Sequence, residues 1–143
     1  MIHYWDTSAL LACLVEEKET QTARFWLASS EEDPKFTSWL TLFEMEMGLR
    51  RKLNQKLLTT KEYELAQDLW SDFQSDLNFL TLNVYVTRTG LRLQKLYNLK
   101  TGDSVQLGSA SSLQLENSPV QFISLDQTLT RCAKQEGFQL PKA

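Results

Sequence analysis

The 143-residue sequence predicts an α/β fold, with a mostly parallel central sheet covered by helices on both faces. Three observations predict it. Short runs of strand character recur along the chain: "IHYW", "KFTS", "FLTL" and "VQFISL". Between them lie longer segments whose apolar residues fall at helical spacing, the pattern of strands joined by helical crossovers. Only three Pro and five Gly punctuate the chain, and no repeat or low-complexity stretch divides it. One domain over residues 1–143 is therefore expected.

Each element follows from local chemistry. Ile2 to Trp5 is an apolar and aromatic run that reads as a strand. Leu10, Leu11, Leu14 and Val15 then predict a helix near 8–17, and Phe25, Trp26 and Leu27 belong to a second near 20–29. Asp33-Pro34 turns the chain into a strand at 35–38. A helix is expected near 41–55. Another is expected near 60–77, with Tyr63, Ala66, Leu69, Trp70, Phe73 and Leu77 on one face and Asp68, Asp72 and Asp76 facing solvent. A strand at 79–82 and a helix at 84–97 follow. "KTGDS" breaks the chain before a helix near 103–115. A strand at 120–125 leads to a helix at 127–136 that ends at Gly137, a natural C′ residue. A last short strand is expected at 138–140.

Composition narrows the function classes. Hydrophobic residues make up 42% and charged residues 23%, enough to bury a core without staples. No apolar run approaches the roughly 18 residues of a membrane span. The first residues lack a basic n-region, so no signal peptide is expected. Cys13 and Cys132 lie in separate helical segments and suggest neither a disulfide framework nor a zinc site. A cytoplasmic protein is expected. The net charge of −3 weighs against gripping nucleic acid by bulk charge. Contact with nucleic acid would need local basic patches or bound cations.

Four acids occupy similar junctions. Asp6 stands where the first strand hands over to a helix, backed by Thr7 and Ser8. Asp126 repeats that arrangement after "FISL", Glu44 lies just inside the helix after "KFTS", and Asp103 opens the helix after "KTG". Taken singly, each reads as a helix-terminal acid stabilised by free N–H groups and the dipole. Asp6 and Asp126 suit N-caps. Thr41 with Glu44 matches a capping box, as does Thr59 with Glu62. Taken together they are harder to dismiss. In a parallel sheet, ligands collect at the carboxyl ends of the strands, where Asp6, Glu44 and Asp126 should converge. Asp103 follows a helix, so the pattern does not place it there. Two unit charges about 4 Å apart repel by roughly 4 kcal/mol at an effective dielectric near 20. Such a cluster calls for a cation. All-oxygen ligands suit Mg²⁺ or Mn²⁺, which can polarise a phosphoryl oxygen and acidify a bound water. Thr7 and Ser8 fit as hydrogen-bond donors to the ligands or to the substrate.

The segments "IHYWDTSALL", "TLFEMEMGLRR", "KTGDSVQLGSA" and "FISLDQTL" resemble, in order and spacing, the four signatures of the PIN domain. The resemblance covers essentially the whole chain and is closest to the single-domain VapC-type toxins of toxin–antitoxin pairs. It implies a three-layer α/β/α PIN-like fold. It also implies a Mg²⁺- or Mn²⁺-dependent endoribonuclease with Asp6, Glu44, Asp103 and Asp126 as the catalytic, metal-holding acids. Substrates would be tRNA or ribosomal RNA, the products would carry 5′-phosphates, and a cognate antitoxin would silence the enzyme. Homodimers are usual among such proteins. The chain departs from the family where Gln106 stands in place of a common His, and where Ser104 and Gly108 stand in place of Ala.

Arg50, Arg51 and Lys56 follow Glu44 and either meet RNA phosphates or form a solvated helix face. Trp39, Leu40, Leu42 and Phe43 are either core or a groove for an antitoxin helix. His3 has no Cys or His neighbour and receives no catalytic role. Two rival functions stand beside the nuclease. One is a catalytically silent PIN-fold binding module. The other is a phosphotransfer enzyme of the haloacid dehalogenase type, which normally needs a second Asp where this chain has Ser8.

Overall fold

The computed structural model describes residues 1–142. The first strand, β1 (Ile2–Trp5), leads into α1 (Thr7–Leu14) and α2 (Thr20–Ser29). Next come β2 (Lys35–Ser38), α3 (Leu40–Asn54) and α4 (Thr60–Phe73), then a 3-10 turn at Gln74–Asp76 and β3 (Asn78–Leu80). The chain continues through α5 (Val84–Tyr97), α6 (Thr101–Leu113), a 3-10 turn at Gln114–Glu116, β4 (Val120–Ile123) and α7 (Gln127–Gln135). All strand pairings are parallel, in the order β3-β2-β1-β4. Because β1 has β2 on one side and β4 on the other, the connections diverge at its carboxyl end and open a crevice there.

Strand alternation divides the core into two faces. Tyr4 and Phe122 point to one side, their rings stacked with centroids 5.5 Å apart. There they join Leu93 of α5, Leu107 of α6 and Leu129 of α7. Trp5 and Ile123, one residue on, point the other way and join Leu10 of α1, Met45 of α3 and Trp70 of α4. Helices therefore cover both faces, which makes the expected three layers. No helix among the described residues is long and apolar enough to cross a membrane. Cys13 and Cys132 are both free and buried.

The element bounds differ from expectation where a tertiary contact intervenes. The first helix ends at Leu14 rather than 17, because Val15 is extended and buried with Leu49 and Tyr63. The Thr20 hydroxyl holds that exit by donating to the Val15 carbonyl and accepting from the Glu17 N–H. The helix expected to reach 77 stops at Phe73 and tightens into the 3-10 turn, which leaves Leu77 extended into the core. The strand expected at 138–140 is reduced to a single parallel bridge between Gln139 and Gln121. Gly137 does adopt φ 91°, as a C′ glycine should.

At the start of α4, Thr59 and Glu62 form the complete capping box. The Thr59 hydroxyl accepts from the Glu62 N–H at 3.1 Å, and the Glu62 carboxylate accepts from the Thr59 N–H at 2.9 Å. Thr59→Ala should therefore lower stability by about 1 kcal/mol. Urea denaturation would show this as a lower midpoint at constant slope; an unchanged midpoint would mean the box contributes nothing.

Candidate active site

The crevice at the carboxyl end of β1 contains a cavity of about 280 Å³ lined by Asp6, Glu44, Asp103 and Asp126. Thr7, Ser8, Met47 and Arg51 complete its lining. Three of the acids arrive from the ends of β1, β2 and β4. Asp103 reaches the same space from the first turn of α6, which starts two residues earlier than expected. A larger cavity, about 640 Å³, lies near the starts of β2 and β3, away from the acids. Its one buried cation, Lys35, already donates to the carbonyls of Ser30, Glu31 and Asp33.

Asp6 occupies the N-cap position of α1, yet its side chain makes no cap hydrogen bond. The capping reading of Asp6 is thus corrected. Its Oδ2 instead accepts from the Ser8 hydroxyl at 2.8 Å and the Ser124 hydroxyl at 2.9 Å. Each serine oxygen in turn accepts a backbone N–H from the β4–α7 link, Leu125 to Ser8 and Asp126 to Ser124. The Asp6 side chain is taken by these two hydroxyls, while the buried N–H groups of Ala9 and Leu10 donate to the Asp6 main-chain carbonyl at 3.2 and 3.3 Å. Among the described residues its Oδ1 accepts no hydrogen bond. Burial pushes the Asp6 carboxyl up to about 6. The two serine hydroxyls oppose that rise, and the charges of Glu44 and Asp103 add to it.

Asp126 does cap its helix, accepting from the Leu129 N–H at 2.9 Å. Asp103 is half-buried, and its carboxyl is raised by burial first, then by the neighbouring charges of Asp126 and Glu44, with Lys100 opposing. Asp6 and Asp103 are thus both raised in part by neighbouring carboxylates. Such mutual repulsion is what a bound cation relieves.

Glu44 sits in the second turn of α3, and the expected box with Thr41 does not form. The helix begins at Leu40, whose N–H donates to the Ser38 hydroxyl at 3.1 Å. Thr41, fully buried, faces inward to Thr37 at 2.7 Å. Glu44 Oε1 accepts instead from the Thr7 hydroxyl at 2.8 Å and from Gln106 Nε2 at 2.6 Å.

Among the described residues, Arg51 is the one basic side chain that lines the cavity. Arg50 reaches back to Glu46 at 3.8 Å on the exposed side of α3. Lys56 lies beyond the end of α3 at φ 60°, exposed and outside the cavity. His3, at the opposite end of the strand, pairs with Asp33 at 2.7 Å. Ser124 escaped the sequence reading, and Gln106 entered it only as a departure from the family pattern, with no role at the site. Ser124 stands two residues before Asp126, a spacing typical of local hydroxyl–backbone bonds. Gln106 stands one turn after Asp103, the one long polar side chain in the interior of a helix of mostly small residues.

Among the described residues, no group of three or more His, Cys, Asp or Glu side chains is drawn together to hold a metal ion. The donor set nevertheless suits a hard cation. Mg²⁺ keeps several waters and takes only one or two carboxylates directly, so an open set of acids fits its habit.

The family model described as the PIN domain matches residues 4–135. No curated protein matches the chain. Among solved structures, the chain is similar to VapBC2 from Rickettsia felis, crystallised bound to a DNA fragment from their promoter. The TM-score is 0.66 at 16% identity, covering 99% of this chain and 98% of that one. It is also similar to PAE2754 from Pyrobaculum aerophilum, with TM-score 0.65 at 18% identity, covering 98% and 83%. At such identities the likeness is one of fold.

Proposed function

The chain belongs to the PIN-domain family, whose members are generally nucleases, and from that premise we propose that it is a Mg²⁺- or Mn²⁺-dependent endoribonuclease of the VapC type. It acts in the cytoplasm as the toxin of a toxin–antitoxin pair, on tRNA or ribosomal RNA, as one PIN-like domain over residues 1–143. One observation carries the reading: four carboxylates from four separate segments line a single cavity at the sheet's switch point.

Asp6, Asp103, Asp126 and Glu44 would hold the cation, which when bound supplies Lewis-acid stabilisation of phosphoryl charge and a more acidic water. The chain's own side chains prepare that site. Ser8 and Ser124 occupy one oxygen of Asp6 and leave the other free of internal bonds. Thr7 and Gln106 do the same for Glu44, so neither carboxylate is free to rotate away. Arg51 brings a positive charge to the wall of an acidic cavity and suits a substrate phosphate. Arg50 and Lys56, outside the cavity, suit more distant phosphates. Trp39 and Phe43, 48% and 76% exposed beside Glu44, suit the apolar side of an antitoxin helix. The likeness to VapBC2 supports such a partner, and a homodimer is part of the same reading.

Purified protein should cleave structured RNA with Mg²⁺ or Mn²⁺, stop in EDTA, and leave 5′-phosphate ends. Because the chain is acidic overall, binding should weaken only shallowly with added salt. Cyclic phosphate ends, or cleavage that survives chelation, would overturn the metal-dependent mechanism. RNA binding without cleavage in any divalent metal would favour the binding module.

A further inference from the structure

Gln106 has the chemistry of an orienting group rather than of a core filler. It is fully buried, and both ends of its amide are engaged. Its Oε1 accepts from the Tyr4 hydroxyl at 2.5 Å. The two hydrogens on Nε2 are shared among Glu44 Oε1 at 2.6 Å and the hydroxyls of Thr41 and Thr7, both at 3.1 Å. The direction of these bonds is forced. A carboxylate only accepts, so the NH₂ must face Glu44; reversal would press the amide oxygen against a carboxylate oxygen. The phenol has a proton to give, so the amide oxygen must face Tyr4. Downstream, Thr37 donates to the Trp5 carbonyl at 2.8 Å, which makes Thr41 the donor to Thr37 and leaves the Thr41 oxygen to accept from Gln106. A backbone carbonyl of β1 and a β1 phenol thus both anchor the amide.

The other side of Glu44 is equally defined. A Cβ added at Gly102 would lie 2.7 Å from Glu44 Oε2, so that oxygen rests against the first turn of α6. Oε1 is held by Gln106 and Thr7.

We propose that Gln106, keyed by Tyr4, is a positioning residue that fixes the rotamer of Glu44 and presents its carboxylate to the cavity. The inference rests on the metal-dependent reading of the site only for its consequence. Groups that orient a ligand through such contacts change metal affinity by about 10–100-fold when replaced.

The test measures Mn²⁺ binding by calorimetry, without RNA, in the wild type and in Gln106→Met, Gln106→His and Tyr4→Phe. Methionine keeps the volume and loses the donor. Histidine can accept from Tyr4 at one nitrogen and donate from the other. Gln106→Met should bind at least about tenfold more weakly, Gln106→His should recover most of the loss, and Tyr4→Phe should fall between. Wild-type affinity in Gln106→Met, with a cooperative unfolding transition, would overturn the proposal. If Gln106→Met fails to fold, unchanged affinity in Tyr4→Phe would overturn it equally. A wild type that binds no Mn²⁺ would count against the metal-dependent reading instead. The positioning role is then decided on the metal-free protein by NMR. Slowly exchanging Gln106 side-chain amide protons whose protection disappears in Glu44→Leu support it, and freely exchanging ones overturn it.

Discussion

Replacing Asp6 by Asn is expected to give a folded, inactive protein that is more stable than the parent at neutral pH. The Asp6 carboxyl is buried and raised to about 6 from an ordinary 3.8. A carboxyl raised on folding favours the folded state fully only below the unfolded value. That advantage is lost as pH rises through about 4 to 6, and by neutral pH the ionised group costs about 3 kcal/mol. Asparagine removes the charge. Its carbonyl oxygen still accepts from Ser8 and Ser124, and no cap is lost because Asp6 caps nothing. Burying an NH₂ offsets part of the gain, so a net stabilisation of up to about 2 kcal/mol is expected at pH 7, shrinking toward pH 4. Urea denaturation at both pH values reads this directly. RNA cleavage should disappear, and the rise in melting temperature that saturating Mn²⁺ gives the parent should shrink. A variant with normal cleavage and normal metal response would remove Asp6 from the site.

The second large effect is expected at the crossing of α5 and α6. Gly108 of α6 faces Gly90 of α5, and a Cβ at Gly108 would meet the Val86 carbonyl oxygen at 3.0 Å and the Gly90 Cα and N at 3.1 Å. These are backbone atoms with little freedom to yield. Gly108→Val should force the helices apart and cost about 3 kcal/mol, although valine is the better helix former. Gly108→Ala should cost less, since a single methyl needs a shift of only tenths of an ångström. Loss of stability in Gly108→Val should also weaken cleavage, because Gln106 and Asp103 ride on the same helix. An unfolding midpoint equal to the parent's would show that the two helices part without penalty. The close crossing also gives a physical reason for glycine at this position.

Local periodicity was enough to read the order and kind of the seven helices and of four strands, whereas the strand expected at 138–140 formed only one bridge. The α2 span 20–29, the β2 span 35–38 and the α5 span 84–97 follow from residues within or beside each segment. Parallel pairing follows in turn from helices long enough to cross over. Local reasoning also led to the four acids, each of which stands at a strand or helix junction. It could not tell what each acid does. Thr59 with Glu62 and Thr41 with Glu44 have the same spacing, yet only the first pair caps a helix. The difference is that Thr59 stands in solvent with no other partner, whereas Thr41 is buried against Thr37 and Gln106. Asp6 and Asp126 likewise hold equivalent positions, but the hydroxyls of Ser8 and Ser124 claim Asp6 and leave Asp126 to its helix. Ser124 lies 118 residues from Asp6, and Gln106 lies 62 from Glu44. Those pairings exist only once the sheet has formed. A hydrogen bond needs its donor within about 3 Å, and apart from Ser8, two residues from Asp6, the donors at this site come within that reach only through tertiary packing.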